Sequence, residues 1–108
     1  MTKEFNNKPI EICVTSGFND KYGGIESVMY AEVALTVLEK YPVDMLVFEM
    51  PDEDHFHVRL AGYDFNTDVL DEETIAFKSK SLHIDTFWFK IDDYGDKYVG
   101  TFLFPEEY

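Results

Sequence analysis

From Pro9 to Thr15 the side chains alternate. Ile10, Ile12 and Val14 share one face and Glu11 and Cys13 the other, which is the period of a β-strand. Ser16 to Gly24 carries Gly17, Asn19, Asp20 and the pair Gly23-Gly24, and this composition predicts a loop. Ile25 to Lys40 has helical spacing. At about 100° per residue, Glu32, Thr36, Glu39 and Lys40 fall on one arc. Tyr30, Ala31, Val33, Ala34, Leu35, Val37 and Leu38 fill the wide remainder, an apolar face broad enough to lie on a sheet. Tyr41-Pro42 ends the helix, because the residue before proline resists the α region and proline has no N–H to donate.

Asp44 to Met50 reads differently. Met45, Leu46, Val47 and Phe48 are all apolar, as in a strand covered on both faces. Strand, helix and strand with short joints imply a crossover and a parallel pair of strands. Pro51 to Asp54 is a turn. His55 to Tyr63 alternates again, with Phe56, Val58 and Leu60 inward and His55, His57, Arg59 and Tyr63 outward. Asp64 to Glu73 is polar and acidic. Asp71 to Phe77 fits a short helix with acids in its first turn, and Thr74 to Ser81 fits a strand equally well. Leu82 to Ile91 is a strand with Phe87 and Phe89 on one face and Trp88 on the other; Trp88 is read as core beneath the helix. Asp93 to Asp96 is a turn and Tyr98 to Phe104 the returning strand, closed by Pro105. The expected architecture is one α+β domain over residues 1–108, a mixed sheet of about five strands with one main helix packed on it.

A chain of 108 residues is one domain's length. With 45% hydrophobic and 17% aromatic residues it can build a core, which excludes a disordered acidic tail. Against this, 22 Asp and Glu face nine Lys and Arg, a net charge of −13. Phosphates would be repelled, so nucleic acid and anionic membranes are excluded as direct partners. The excess is concentrated: residues 44–73 hold ten acids and Arg59 as the one base. The acids gather in Asp52, Glu53 and Asp54 and in Asp64, Asp68, Asp71, Glu72 and Glu73. Such crowding destabilises the compact state by self-repulsion, and a cationic partner gives a reason to tolerate it. Asp92, Asp93 and Asp96 around Tyr94-Gly95 extend the patch if the fold brings the turns to one edge. Tyr63, outward on its strand, and Tyr94, in its turn, add aromatic contact area beside the acids.

The remaining chemistry is thin. Cys13 is the single cysteine, so no internal disulfide forms, and it reads as a small buried or edge residue of a protein in a reducing cytosol. The N-terminus has no apolar leader and no run approaches a membrane span. His55 and His57 beside the Asp52–Asp54 turn resemble metal ligands on paper, but a closed site needs three or four converging groups. The turn Asp92 to Asp96 lacks the full spacing of a calcium loop. Gly23-Gly24 before the helix lacks the further glycines or the Lys-Ser/Thr pair of a phosphate loop. Ser16-Gly17 is no nucleophile elbow. No catalytic residue, cofactor or metal is therefore expected, and a binding protein is expected in place of an enzyme.

In size, in the Asp52–Asp54 turn, in the acidic stretch Asp64 to Glu73 and in its single Cys, the chain resembles the small acidic immunity proteins that bacteria pair with nuclease toxins. The resemblance implies a basic protein partner, a nuclease toxin whose nucleic-acid cleft the acids would occupy. The expected contact residues are Asp52, Glu53, Asp54, Tyr63, Asp64, Asp68, Asp71, Glu72, Glu73, Asp93 and Tyr94. The alternative is a phage- or plasmid-encoded DNA mimic, which needs carboxylates in rows at duplex-like separations.

Overall fold

In the computed structural model, which describes residues 3–49, 55–64, 74–78 and 86–107, the chain runs β1 (Lys3–Phe5), β2 (Lys8–Val14), α1 (Ser16–Tyr22), α2 (Ile25–Lys40), β3 (Val43–Glu49), β4 (His55–Asp64), β5 (Thr74–Lys78), β6 (Phe87–Asp93) and β7 (Tyr98–Leu103), ending in a 3-10 turn at Pro105–Glu107. The class is α+β, as expected. The element count is larger. Among the described residues the sheet holds seven strands in the order β1-β2-β7-β6-β3-β4-β5; six are of five residues or more, and β1 has three.

α1 overturns the loop expected over Ser16 to Gly24. The Thr15 hydroxyl caps it by accepting the N–H of Phe18 at 3.3 Å. Phe18 and Tyr22, one turn apart, are both buried on the same side. Side-chain burial outweighs the weak helix propensity of Gly17, Asn19 and Asp20. Gly23 ends α1 and Gly24, at φ 77°, starts α2, so the glycine pair joins two helices and not a strand to a helix.

The parallel pair also differs from expectation. β2 and β3 run in the same direction, but β7 and β6 lie between them, and the parallel neighbour of β2 is β7, with Ile10 opposite Tyr98 and Val14 opposite Phe102. β3 pairs antiparallel with both β4 and β6, which explains its unbroken apolar run. Thr74 to Lys78 is strand, resolving the choice between helix and strand.

Register decides the faces. Phe48 is opposite both Phe87 and Val58, Leu46 opposite Phe89 and Leu60, and Phe89 opposite Phe102; all are buried. Both helices pack on this face. Phe18 of α1 stacks on Phe102 at 5.1 Å, and Tyr30 of α2 lies 5.1 Å from Phe87 between ring centroids. Phe89 packs so closely over β7 that a Cβ at Gly100 would collide with the tip of its ring. Trp88 is half-buried on the opposite face with its register partners Val47 and Leu103, and is not beneath a helix. Alternation already assigned Phe87 and Phe89 to the other side, and the helices chose the face with the more rings.

The C-terminal turn is tied to the start of α1. Glu107 Oε1 accepts the Thr15 hydroxyl at 2.7 Å and the Phe104 N–H at 3.0 Å. The Phe104 N–H first, then the Thr15 hydroxyl, holds the Glu107 carboxyl below its ordinary range. A depressed carboxyl contributes stability that is full above the unfolded-state pKa of about 4.3 and is lost as pH falls through the folded-state value. Glu107→Gln is therefore expected to lower the melting temperature at pH 7, with the deficit closing in acid. A deficit that stayed constant from pH 7 to pH 2 would show that ionisation of Glu107 is not what holds this turn.

Candidate partner-binding surface

β4 is the ruler for the acidic third of the chain. It holds ten residues and so spans about 30 Å, close to the molecule's longest extent of 37 Å. Asp52, Glu53 and Asp54 lie outside the described residues and precede His55, at one end of β4. Asp64 is at the other end. Asp68, Asp71, Glu72 and Glu73 also lie outside the described residues, in the connection between Asp64 and Thr74. Asp52–Asp54 and Asp64 thus attach at opposite ends of β4, whereas the connection that carries Asp68 to Glu73 returns to Thr74, opposite Arg59 in the middle of β4.

The Asp64 end is the one that meets the third acidic turn. Asp64 pairs with Val43 at the start of β3. Met45 pairs with Lys90, which puts Asp92 and Asp93, the last residues of β6, at the same end of the sheet. Asp44, unremarked in the sequence, joins them there. Near this end Val43 and Met45 face Asp64 and Ala61, so β4 carries one extra residue, a bulge around Gly62 and Tyr63. Tyr63 is placed by backbone register alone.

The turn after β6 is built from its own residues. Tyr94 N–H donates to the Lys97 carbonyl at 2.9 Å, and Gly95 takes φ 90°. The Asp93 carboxylate accepts the Gly95 N–H at 2.9 Å and the Lys8 ammonium at 2.7 Å. Lys8 also donates to the Gly95 carbonyl at 3.0 Å and sits 4.3 Å from the centre of the Tyr98 ring. Hydrogen bonding to Asp93 raises the Lys8 pKa, and the same bond, with the Gly95 N–H, lowers that of Asp93. Lys97 is raised in the same way by its 2.8 Å contact with Glu11.

Asp93 is therefore a structural acid, partly neutralised by Lys8, and any cationic partner would compete with that ammonium. Asp92 stands 4.0 Å from Lys90, a loose pair. Asp96 is exposed, and Tyr94 is 63% exposed at the tip of the turn. Lys8 carries no mark in the sequence that couples it to Asp93, 85 positions away.

At the other end Arg59 donates to Glu49 at 3.2 Å across the β3–β4 pair. His57 is half-buried opposite Glu49 and Ala76. Among the described residues no three His, Cys, Asp or Glu are grouped to hold a metal ion. Among them, too, no helix is long and apolar enough to cross a membrane. Cys13 is a half-buried free thiol on β2. Compared with protein-family profiles, curated proteins and solved structures, the chain shows no significant match in any of the three.

Proposed function

We propose that this protein is an inhibitor that binds and blocks a basic protein, an immunity protein that covers the nucleic-acid cleft of a nuclease toxin in the cytosol of the cell that makes it. The observation that carries this reading is the net charge of −13 with ten acids and one base between residues 44 and 73. The end of the sheet that bears Asp64 and the 93–97 turn supports it by bringing Asp92, Asp96 and the exposed Tyr94 to the end that holds Asp44 and Asp64, two of those ten acids. Carboxylates there would occupy positions at which the toxin's Lys and Arg hold phosphates, and Tyr94 would fill an adjacent hollow. No step of this requires a catalytic group, a cofactor or a metal.

The charge acts first on encounter. Its field steers a cationic cleft toward the acidic end, and screening by salt weakens that steering. Affinity capture at about 50 mM salt is expected to yield one dominant basic protein whose nuclease activity is blocked at equal stoichiometry. Raising salt to about 500 mM should slow association at least roughly tenfold and change dissociation far less. An association rate indifferent to salt would overturn the electrostatic mechanism. Equal inhibition of several unrelated DNA-binding proteins would favour the DNA-mimic reading instead.

A further inference from the structure

The turn after β6 is pinned to β2 from both of its sides. Tyr98 opens β7 opposite Ile10, with Lys8 before and Glu11 after Ile10 on β2. Lys8 reaches the incoming side of the turn, at the Asp93 carboxylate (2.7 Å) and the Gly95 carbonyl (3.0 Å). Lys97, on the outgoing side, reaches back to Glu11 at 2.8 Å. Lys8 is itself placed with care. It follows Asn6 and Asn7, whose φ of 51° and 67° make the tight turn between β1 and β2. The Asn6 amide donates to the Tyr98 hydroxyl at 3.3 Å, and the Lys8 ammonium lies over the Tyr98 ring. Between the two pinned sides the chain lifts Tyr94 out at 63% exposure, with its N–H fixed on the Lys97 carbonyl.

We infer that Lys8 is a positioning residue for partner binding: its ammonium fixes the 93–97 turn so that the Tyr94 ring is held ready for a hollow beside the cationic cleft of the basic protein. The inference rests on the proposed function and goes beyond it, because charge alone assigns Lys8 the opposite role. A lysine at an acidic end opposes the approach of a cationic cleft, and its removal would take the net charge from −13 to −14. Order argues the other way. A Tyr side chain offers a large contact area for few rotatable bonds, and a backbone already ordered beneath it spares the complex the cost of ordering it on binding. The ammonium stays in the complex, because Asp93, Gly95 and the Tyr98 ring already surround it. Lys8 and Asp93 are partly exposed, and a pair at the surface contributes little to the stability of the whole fold, so its effect is local to the turn.

The test compares the parent, Lys8→Met, Tyr94→Ala and the double variant. Two probes are used: the basic protein recovered by affinity capture, and short poly-lysine, which reports charge alone. Lys8→Met is expected to keep native circular dichroism and to speed amide hydrogen exchange at Tyr94 and Gly95. Dissociation of the basic protein should quicken about fivefold or more. Poly-lysine should bind Lys8→Met as tightly as the parent or more tightly. Tyr94→Ala should weaken the basic protein about tenfold or more, and in that background Lys8→Met should add no further loss. If Lys8→Met binds the basic protein as well as the parent or better, or if its loss is as large without the Tyr94 ring as with it, the inference is overturned and the proposed function stands. If no basic protein is recovered, the proposed function fails and the inference falls with it.

Discussion

Phe87→Ala is expected to cost roughly 3–5 kcal/mol, the range for removing a buried aromatic side chain. Phe87 is fully buried and its ring meets those of Phe18 at 5.0 Å, Tyr22 at 5.6 Å, Tyr30 at 5.1 Å, Phe48 at 4.7 Å and Phe102 at 5.9 Å. It is the ring on which α1, α2, β3 and β7 converge. The aromatics around it are rigid and mutually packed, so they cannot collapse into the space it leaves, and the cavity term is added to the lost transfer energy. A domain of this size holds about 5–15 kcal/mol in all, so the variant should stand near the edge of folding. Urea denaturation checks this: the midpoint should fall steeply while the slope with denaturant stays constant. A shift under about 1 kcal/mol would mean that the ring cluster repacks, and that it is not the keystone of the helix–sheet interface.

Charge reversal tests the functional reading most sharply, because topology divides the acids into sets that can be changed independently. Asp71→Lys, Glu72→Lys and Glu73→Lys together alter the connection where it runs into Thr74, opposite Arg59 in the middle of β4. They are expected to weaken capture of the basic partner by about a hundredfold, with circular dichroism unchanged. Asp52→Lys with Asp54→Lys alters the segment that precedes His55, four residues or about 13 Å along β4 from the Arg59–Thr74 pair. With a Debye length of about 8 Å at physiological salt, partial screening should make its effect the smaller of the two, about tenfold or less. Kd values from biolayer interferometry on both sets decide the matter. If the 52/54 pair abolishes binding and the 71–73 set does not, the contact surface is at the His55 end. If neither matters, the acidic segments are not the contact surface.

The elements legible in the sequence were those whose periodicity follows from burial on one face. Ile10 and Ile12, Val58 and Leu60, Phe87 and Phe89, and the long apolar arc of α2 all reported their environment locally. α1 was illegible by composition. Gly17, Asn19, Asp20 and Gly23 outvote its two anchors, although Thr15 as a cap and Phe18 and Tyr22 at helical spacing were its signature. Strand order was out of reach, because the partner of β2 is β7 and nothing local encodes that distance. The same gap applies to the surface. The concentration of acids can be counted from the sequence, but only the length and direction of β4 separate Asp52–Asp54 from Asp64. The pairing of Lys8 with Asp93, which quiets part of the third turn, belongs to the topology as well.

The contact between β2 and β7 has a consequence for synthesis. A ribosome delivers Lys8 85 residues before Asp93, and all of β7 later still. Through those seconds of translation the nascent chain lacks the strand that sits between β2 and β6, so the β7-facing edge of β2 waits, while β6 emerges only just before β7. Closure of the sheet is then a late event that waits for β7 to emerge, and a chaperone that shields β2 would act in that interval.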